Sequence, residues 1–201
     1  MESGIGRAVK VAAIAAAVLF ASAVYAFGTV LEGFVQAQHP VALLGARGFP
    51  HALAFNLIAF VLPGMLAGVV AIALRERLPR DAAWPVRIGA QLVFLSALAF
   101  IAMGLLPLDT NDLESNTSRM HGTAWMLWSV AFIPGALLLA FGLWRDPLWG
   151  RFARISLAGA LGVLVAAYFL TAFIPPGIGQ RIAFALWFAW LVVAGVARIP
   201  R

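Results

Sequence analysis

Long apolar stretches, separated by short polar segments, follow one another along most of this chain. A helix needs about 20 apolar residues to cross the hydrocarbon core of a bilayer. Stretches of this length, or nearly so, predict six transmembrane helices, over residues 9–31, 52–74, 88–106, 120–143, 155–174 and 182–196. The last stretch is short, so we expect its end residues to extend toward the membrane interface. The predicted fold class is all-α, with residues 1–201 forming one six-helix transmembrane domain.

The composition agrees with a membrane environment. Hydrophobic residues make up 63% of the chain and charged residues 11%, whereas a soluble domain carries about 25% charged residues. The net charge of +6 does not indicate a nucleic-acid partner, because the basic residues lie in the short gaps between apolar stretches. The expected partners are membrane lipids, with a second copy of the chain or another membrane protein as further partners. The lack of cysteine excludes disulfides, thiolate metal ligands and a cysteine nucleophile.

The distribution of basic residues predicts the orientation in the membrane. Of the 14 basic residues, only Arg47, Arg119 and Arg181 lie on one side, and the rest lie in the gaps 75–87 and 145–154 or near the termini. Because basic loops stay cytoplasmic, we expect a multi-pass protein of the cell's inner (plasma) membrane with both termini in the cytoplasm. In an alternative interpretation, the basic start and the small residues 21–23 form a cleaved signal peptide, which would remove the first helix.

Helices two and four share a pattern. Each begins near a histidine, His51 or His121, continues to a Pro-Gly pair at Pro63 or Pro134, and leads to an arginine-rich turn. The pattern predicts a parallel repeat of helix pairs 2-3 and 4-5, with both histidines on the outer side. The alternative is a chance similarity between apolar sequences. Each proline removes one backbone donor, so we expect a kink in both helices.

Asp109 and His121 are the candidate catalytic residues. Asp109 follows the third helix and His121 opens the fourth, and a short connection between antiparallel helices brings such ends together. A carboxylate beside a histidine orients the ring and raises its basicity, as general acid–base chemistry requires. In the structural alternative these residues only terminate helices, with Thr117 or Ser118 as the N-cap of the fourth helix.

Metal and cofactor content cannot be assigned from these residues. A catalytic zinc site uses three protein ligands and an open position, which His51, His121 and Asp109 would supply if the helix ends converge. No H-E-x-x-H motif or similar spacing accompanies them. The sequence requires no cofactor, and zinc stays one hypothesis for this end of the bundle.

Four residues are candidate ligand-binding groups on the outer side: Arg181, Gln180, His51 and Asn56. Gln180 and Arg181 open the last helix. Arg181 either extends to the interface, pairs with Asp109 or Glu32, or binds a lipid phosphate. Asn56 lies within the second helix, where an amide either joins helices or contacts a ligand.

These motifs together resemble a family of bacterial integral membrane proteins, domain-of-unknown-function family 998. The matching segments are 55–57 leading to Pro63-Gly64, the stretch 104–109, His121 opening the fourth helix, and Gln180-Arg181. The resemblance extends over about residues 39–196. Family members often have Phe-Pro where this chain has Leu106-Pro107. The resemblance implies a fold and a site location, and it implies no reaction.

Three functions are compatible with these observations. The preferred hypothesis is a lipid-binding or lipid-redistributing membrane protein with a polar pocket on its outer face. The second is an intramembrane hydrolase or transferase that uses Asp109 and His121, with or without a metal. The third is a structural or assembly subunit of a membrane complex.

Overall fold

The computed structural model describes residues 4–79 and 81–196. Six long helices account for most of this part of the chain: α1 (Gly4–Val30), α2 (Ala52–Arg77), α3 (Trp84–Leu105), α4 (Asn116–Leu143), α5 (Gly150–Ala172) and α6 (Pro176–Val196). Each is long and apolar enough to cross a membrane, which confirms the predicted all-α class and its six spans. A short 3-10 turn, Val41–Gly45, lies between α1 and α2.

Helices α3 to α6 each begin four to six residues before their predicted starts, and two of these starts have a clear local cause. Helix α6 begins at Pro176, where proline suits a first helical position, and not after the charged residue Arg181. Helix α4 begins at Asn116, because the Ser115 hydroxyl accepts a hydrogen bond from Ser118 N and caps the helix. Ser115 is therefore the N-cap, and the prediction of Thr117 or Ser118 was wrong.

Two helices contain a widened π-helical turn. In α2 it covers Leu57–Val61, directly before Pro63, and in α5 it covers Val165–Phe169. The turn in α2 adjusts the backbone next to a residue that has no N–H to donate. Pro134 is instead accommodated within the continuous helix α4. The parallel repeat stays a prediction.

Helices α1 to α5 form an arc in chain order, and α6 fills it. Each helix packs against the next along the chain, and α6 also contacts α1 and α2. Aromatic side chains extend these contacts, so that rings of α6 pack against a ring from each of the other five helices. The pairs are Phe20–Phe184, Phe60–Phe184, Phe100–Trp187, Trp128–Phe184 and Phe152–Trp190, with ring centres 4.7–6.4 Å apart. Because lipid removes the hydrophobic drive between helices, this close packing holds the bundle together.

Small residues permit the closest helix contact. At the crossing of α3 and α4, a Cβ on Gly89 would lie 2.7 Å from the Gly135 carbonyl oxygen, and one on Gly135 would lie 3.0 Å from the Gly89 carbonyl oxygen. Neither position accepts a side chain without backbone movement. Small residues between membrane helices let the backbones approach closely, and these two glycines therefore set the separation of α3 and α4.

Candidate functional site

Arg181 lies in the second turn of α6, partly buried, and its guanidinium makes four hydrogen bonds. Nε and Nη2 both donate to Gln36 Oε1, at 3.0 and 2.7 Å. Nη1 donates to the carbonyl oxygens of His39 and Gly177, at 2.9 and 2.8 Å. All of these acceptors are neutral, and within residues 4–79 and 81–196 no carboxylate forms a salt bridge with Arg181. The positive charge is therefore held in place without being neutralised.

Two partners of Arg181, Gln36 and His39, belong to residues 31–50, which we call the strap. The strap crosses the first turns of α6, where Val41 N donates to Gln180 Oε1 at 2.7 Å and Ile178 N donates to Ala37 O at 3.1 Å. A Cβ on Gly177 would lie 2.6 Å from Ala37 O, so the strap sits this close only above glycine. Gln180 is thereby a structural contact between α6 and the strap.

Asn56 holds the other end of the strap. Its buried side chain donates from Nδ2 to Gly45 O at 2.9 Å, and thereby fixes the 3-10 turn. His51 directly follows the strap and has a left-handed backbone conformation, φ 61°, with an exposed side chain that makes no capping hydrogen bond. The structure therefore gathers Arg181, Gln180 and Asn56 around one segment of chain.

An open groove lies beside Arg181. Its volume is about 410 Å³, and it is lined by Gln36, Ala37, Ile178, Arg181, Ile182 and Ala185. Ile178, Ile182 and Ala185 lie on one face of α6, at positions i, i+4 and i+7. Ile178 and Ile182 are 36% and 37% exposed, so this face is open although the opposite face of α6 is in the core. The exposed lining of the groove is apolar, and the guanidinium of Arg181 lies beside it.

His121 is buried and engaged with the end of α3. Its Nδ1 lies 3.1 Å from Met103 O and 2.9 Å from Leu106 O. Two carbonyl acceptors facing one ring nitrogen require that this nitrogen carries the proton and donates. The last carbonyls of a helix have no partner within it, so His121 serves as a C-terminal cap for α3, supplied by α4.

Asp109 lies in the connection between α3 and α4. One carboxylate oxygen accepts from Asn111 N at 3.0 Å, and the Asp109 backbone joins Ser118, whose hydroxyl donates to Asp109 O at 3.2 Å. In the part of the chain that the structure describes, no hydrogen bond joins Asp109 to His121. Arg47 N donates to Leu108 O at 2.8 Å, which ties this connection to the strap.

No metal centre is evident at this end. Across residues 4–79 and 81–196, no three His, Cys, Asp or Glu side chains come close enough to hold a metal ion. The hypothetical zinc ligands His51, Asp109 and His121 are therefore not brought together as a ligand set.

Gln36 is the site residue that sequence reasoning missed. The strap also contains Gln38, which is exposed, and the sequence alone has no signal that distinguishes the two. Only the approach of α6 selects Gln36, because its Oε1 receives two N–H groups of Arg181 while its Nε2 donates to Val24 O at 2.9 Å.

The six apolar helices define this chain as a multi-pass integral membrane protein, with a polar cluster at one end of the bundle. Residues 14–197 match the model of a protein family of unknown function, DUF998. The chain belongs to that family. No curated protein and no solved structure matches the chain.

Proposed function

We propose that this protein binds an anionic lipid in the outer leaflet, with the headgroup at Arg181 and an acyl chain in the adjoining groove. The observation that carries the proposal is a partly buried guanidinium whose acceptors are all neutral, on a residue that also borders an apolar groove. A cation in such a position favours an anionic partner, and arginine suits phosphate in particular.

The dimensions of the groove agree with part of a lipid. Its volume of about 410 Å³ falls within the range of small-molecule sites. From Ile178 to Ala185 the apolar face of α6 extends about 10 Å along the helix axis. Arg181 lies between Ile178 and Ile182 along this face, so a lipid with its headgroup at the guanidinium would lay the first part of an acyl chain on Ile182 and Ala185.

The lipid proposal includes a location and an orientation: the protein lies in the plasma membrane, and both of its termini lie in the cytoplasm. Basic residues that are exposed at the end opposite the strap support it: Arg7, Lys10, Arg75, Arg87, Arg145, Arg151 and Arg154. Because the chain has no cysteine, single cysteines in place of Glu114 or Leu148 provide a clean test. A membrane-impermeant maleimide applied to intact cells should label Glu114→Cys and not Leu148→Cys, and the reverse pattern would overturn the orientation.

Native mass spectrometry of gently purified protein tests the lipid itself. Arg181→Gln removes the charge and should lower the retained phosphatidylglycerol by about tenfold or more, the equivalent of about 1.4 kcal/mol. Arg181→Lys keeps the charge but loses the two parallel N–H groups, so its retention should lie between those of wild type and Arg181→Gln. Arg119→Gln is the matched control, since Arg119 is an exposed outer-side cation paired with Glu114 at 3.7 Å. Equal retention by Arg181→Gln and the control would overturn the proposal.

The hydrolase or transferase hypothesis has less support. The Nδ1 of His121 serves the carbonyls of α3, and the Asp109 carboxylate serves Asn111 N. Among the described residues, the hydrogen-bond partners of the imidazole and of the carboxylate are backbone groups and not nucleophilic side chains. Lipid binding is the proposal we develop, because the Arg181 site and its adjoining groove favour it.

A further inference from the structure

One edge of the Arg181 guanidinium is occupied by a single oxygen. Nε and Nη2 both point at Gln36 Oε1, at 3.0 and 2.7 Å. This is the edge through which arginine binds carboxylates and phosphates with two parallel N–H groups. The other nitrogen, Nη1, is directed elsewhere, to His39 O and Gly177 O. Gln36 therefore stands where an oxyanion would bind, and it offers a neutral amide oxygen in its place.

We propose that Gln36 is an internal competitor for this edge, and that the headgroup oxyanion of a lipid binds by displacing it. The inference rests on the proposed function and adds Gln36 as the residue that sets the affinity of the Arg181 site for the headgroup. A phosphate or carboxylate offers this edge a negative charge and two oxygens for two parallel N–H bonds, whereas the neutral amide offers one shared oxygen, so the oxyanion outcompetes the amide. The two Nη1 bonds stay in place during the exchange and keep the guanidinium oriented.

The exchange needs a side-chain movement and no opening of the strap. After Gln36 leaves, the strap is still joined to α6 through Val41 and Gln180 and through Ala37 and Ile178. Gly28 of α1 provides the space in which Gln36 sits, because a Cβ there would overlap the Gln36 amide and lie 3.1 Å from a Phe34 ring carbon. Gly28 on α1 therefore determines whether Gln36 can occupy this position, independently of Arg181.

Three variants change or displace the Gln36 side chain and leave Arg181 unsubstituted. Gln36→Glu places a carboxylate on the same edge and should lower phosphatidylglycerol affinity about tenfold or more, because an ion pair replaces hydrogen bonds to an uncharged amide. Gln36→Ala removes the competitor and should raise the affinity several-fold. Gly28→Ala displaces Gln36 by steric overlap and should act in the same direction as Gln36→Ala. Gln38→Glu, which makes the same charge change at an exposed strap position, should leave the affinity within about twofold.

The assay is native mass spectrometry of protein in nanodiscs of phosphatidylcholine with titrated phosphatidylglycerol. A second arm uses phosphatidylcholine discs with inorganic phosphate. If phosphate alone follows the order of the variants, the oxyanion site stands and the lipid source is wrong. Opposite shifts for Gln36→Glu and Gln36→Ala cannot come from a shared loss of folding, which tryptophan fluorescence would also detect.

The failures of the two proposals are distinguishable. Unchanged retention in Arg181→Gln removes the proposed function and this inference with it. A loss in Arg181→Gln together with equal affinities for wild type, Gln36→Glu and Gln36→Ala overturns only the competitor role. Equal losses for Gln36→Glu and Gln38→Glu would show a general charge effect and would also overturn it.

Discussion

The hydrogen bonds of His121 give the sharpest stability prediction. Its Nδ1–H serves Met103 O at 3.1 Å and Leu106 O at 2.9 Å, and thereby joins α4 to the end of α3. His121→Ala removes this donor and leaves two carbonyls that α3 itself cannot satisfy. His121→Asn is the matched variant, because its amide nitrogen is bonded to Cγ just as the imidazole Nδ1 is.

The expected magnitude follows from these contacts. Losing the shared hydrogen bond costs about 0.5–1.5 kcal/mol, and leaving a buried carbonyl without a donor costs about 1–3 kcal/mol. Leu106 is only partly buried, so its carbonyl can gain a water molecule, whereas Met103 is buried. We therefore expect His121→Ala to lower the free energy of unfolding by about 2–4 kcal/mol, and His121→Asn by about 1 kcal/mol or less.

Reversible unfolding in mixed micelles, with SDS as the denaturant, measures this difference. The seven tryptophans of the chain provide the fluorescence signal. Met120→Ala, at a neighbouring position that is 55% exposed, is the control and should stay within about 0.5 kcal/mol of wild type. The reasoning is refuted if His121→Ala unfolds like wild type, or if His121→Asn loses as much stability as His121→Ala.

Three further predictions concern packing and hydrogen bonds elsewhere. Gly135→Ala should destabilise the bundle by about 1–3 kcal/mol, because the added methyl meets the α3 backbone, whereas Gly122→Ala, with nothing within 4 Å, should have little effect in the same unfolding assay. Trp190→Phe should cost about 0.6–1.5 kcal/mol through loss of its 3.0 Å hydrogen bond to Ser156 Oγ, and this cost should shrink in the Ser156→Ala background. Asn56→Leu should release the 3-10 turn from α2, so limited proteolysis should cut the strap faster than in wild type. Unchanged proteolysis would contradict that role for Asn56.

The residue types at the candidate site could be predicted from the sequence, but their partners could not. Arg181, Gln180 and Asn56 are polar groups in or beside apolar helices, and such groups need partners in a membrane. Arg181 finds Gln36, which lies 145 positions away in the chain. No local pattern records that distance, and Gln38 would have been an equal candidate.

The helix boundaries also could be predicted only in part from the sequence. The interior of α6 was predicted, but its first turn was not, because Arg181 was expected to lie at the helix end. The helix begins before this charged residue because the strap supplies hydrogen-bond acceptors for the guanidinium. Similarly, Ser115 caps α4 while Thr117 and Ser118 were equally plausible by residue type, and the backbone path into the helix decided among them.

The sequence by itself determined the class of protein and the number of helices. Transfer of apolar side chains into lipid depends on local composition, so each span can be recognised within its own 20 or so residues. Only the tertiary structure decided that α6 lies within the arc of the other helices, that His121 caps α3, and that Gln36 occupies the binding edge of Arg181. These features depend on contacts between residues far apart in the chain, where shape and hydrogen-bond geometry select one partner among several of the same type.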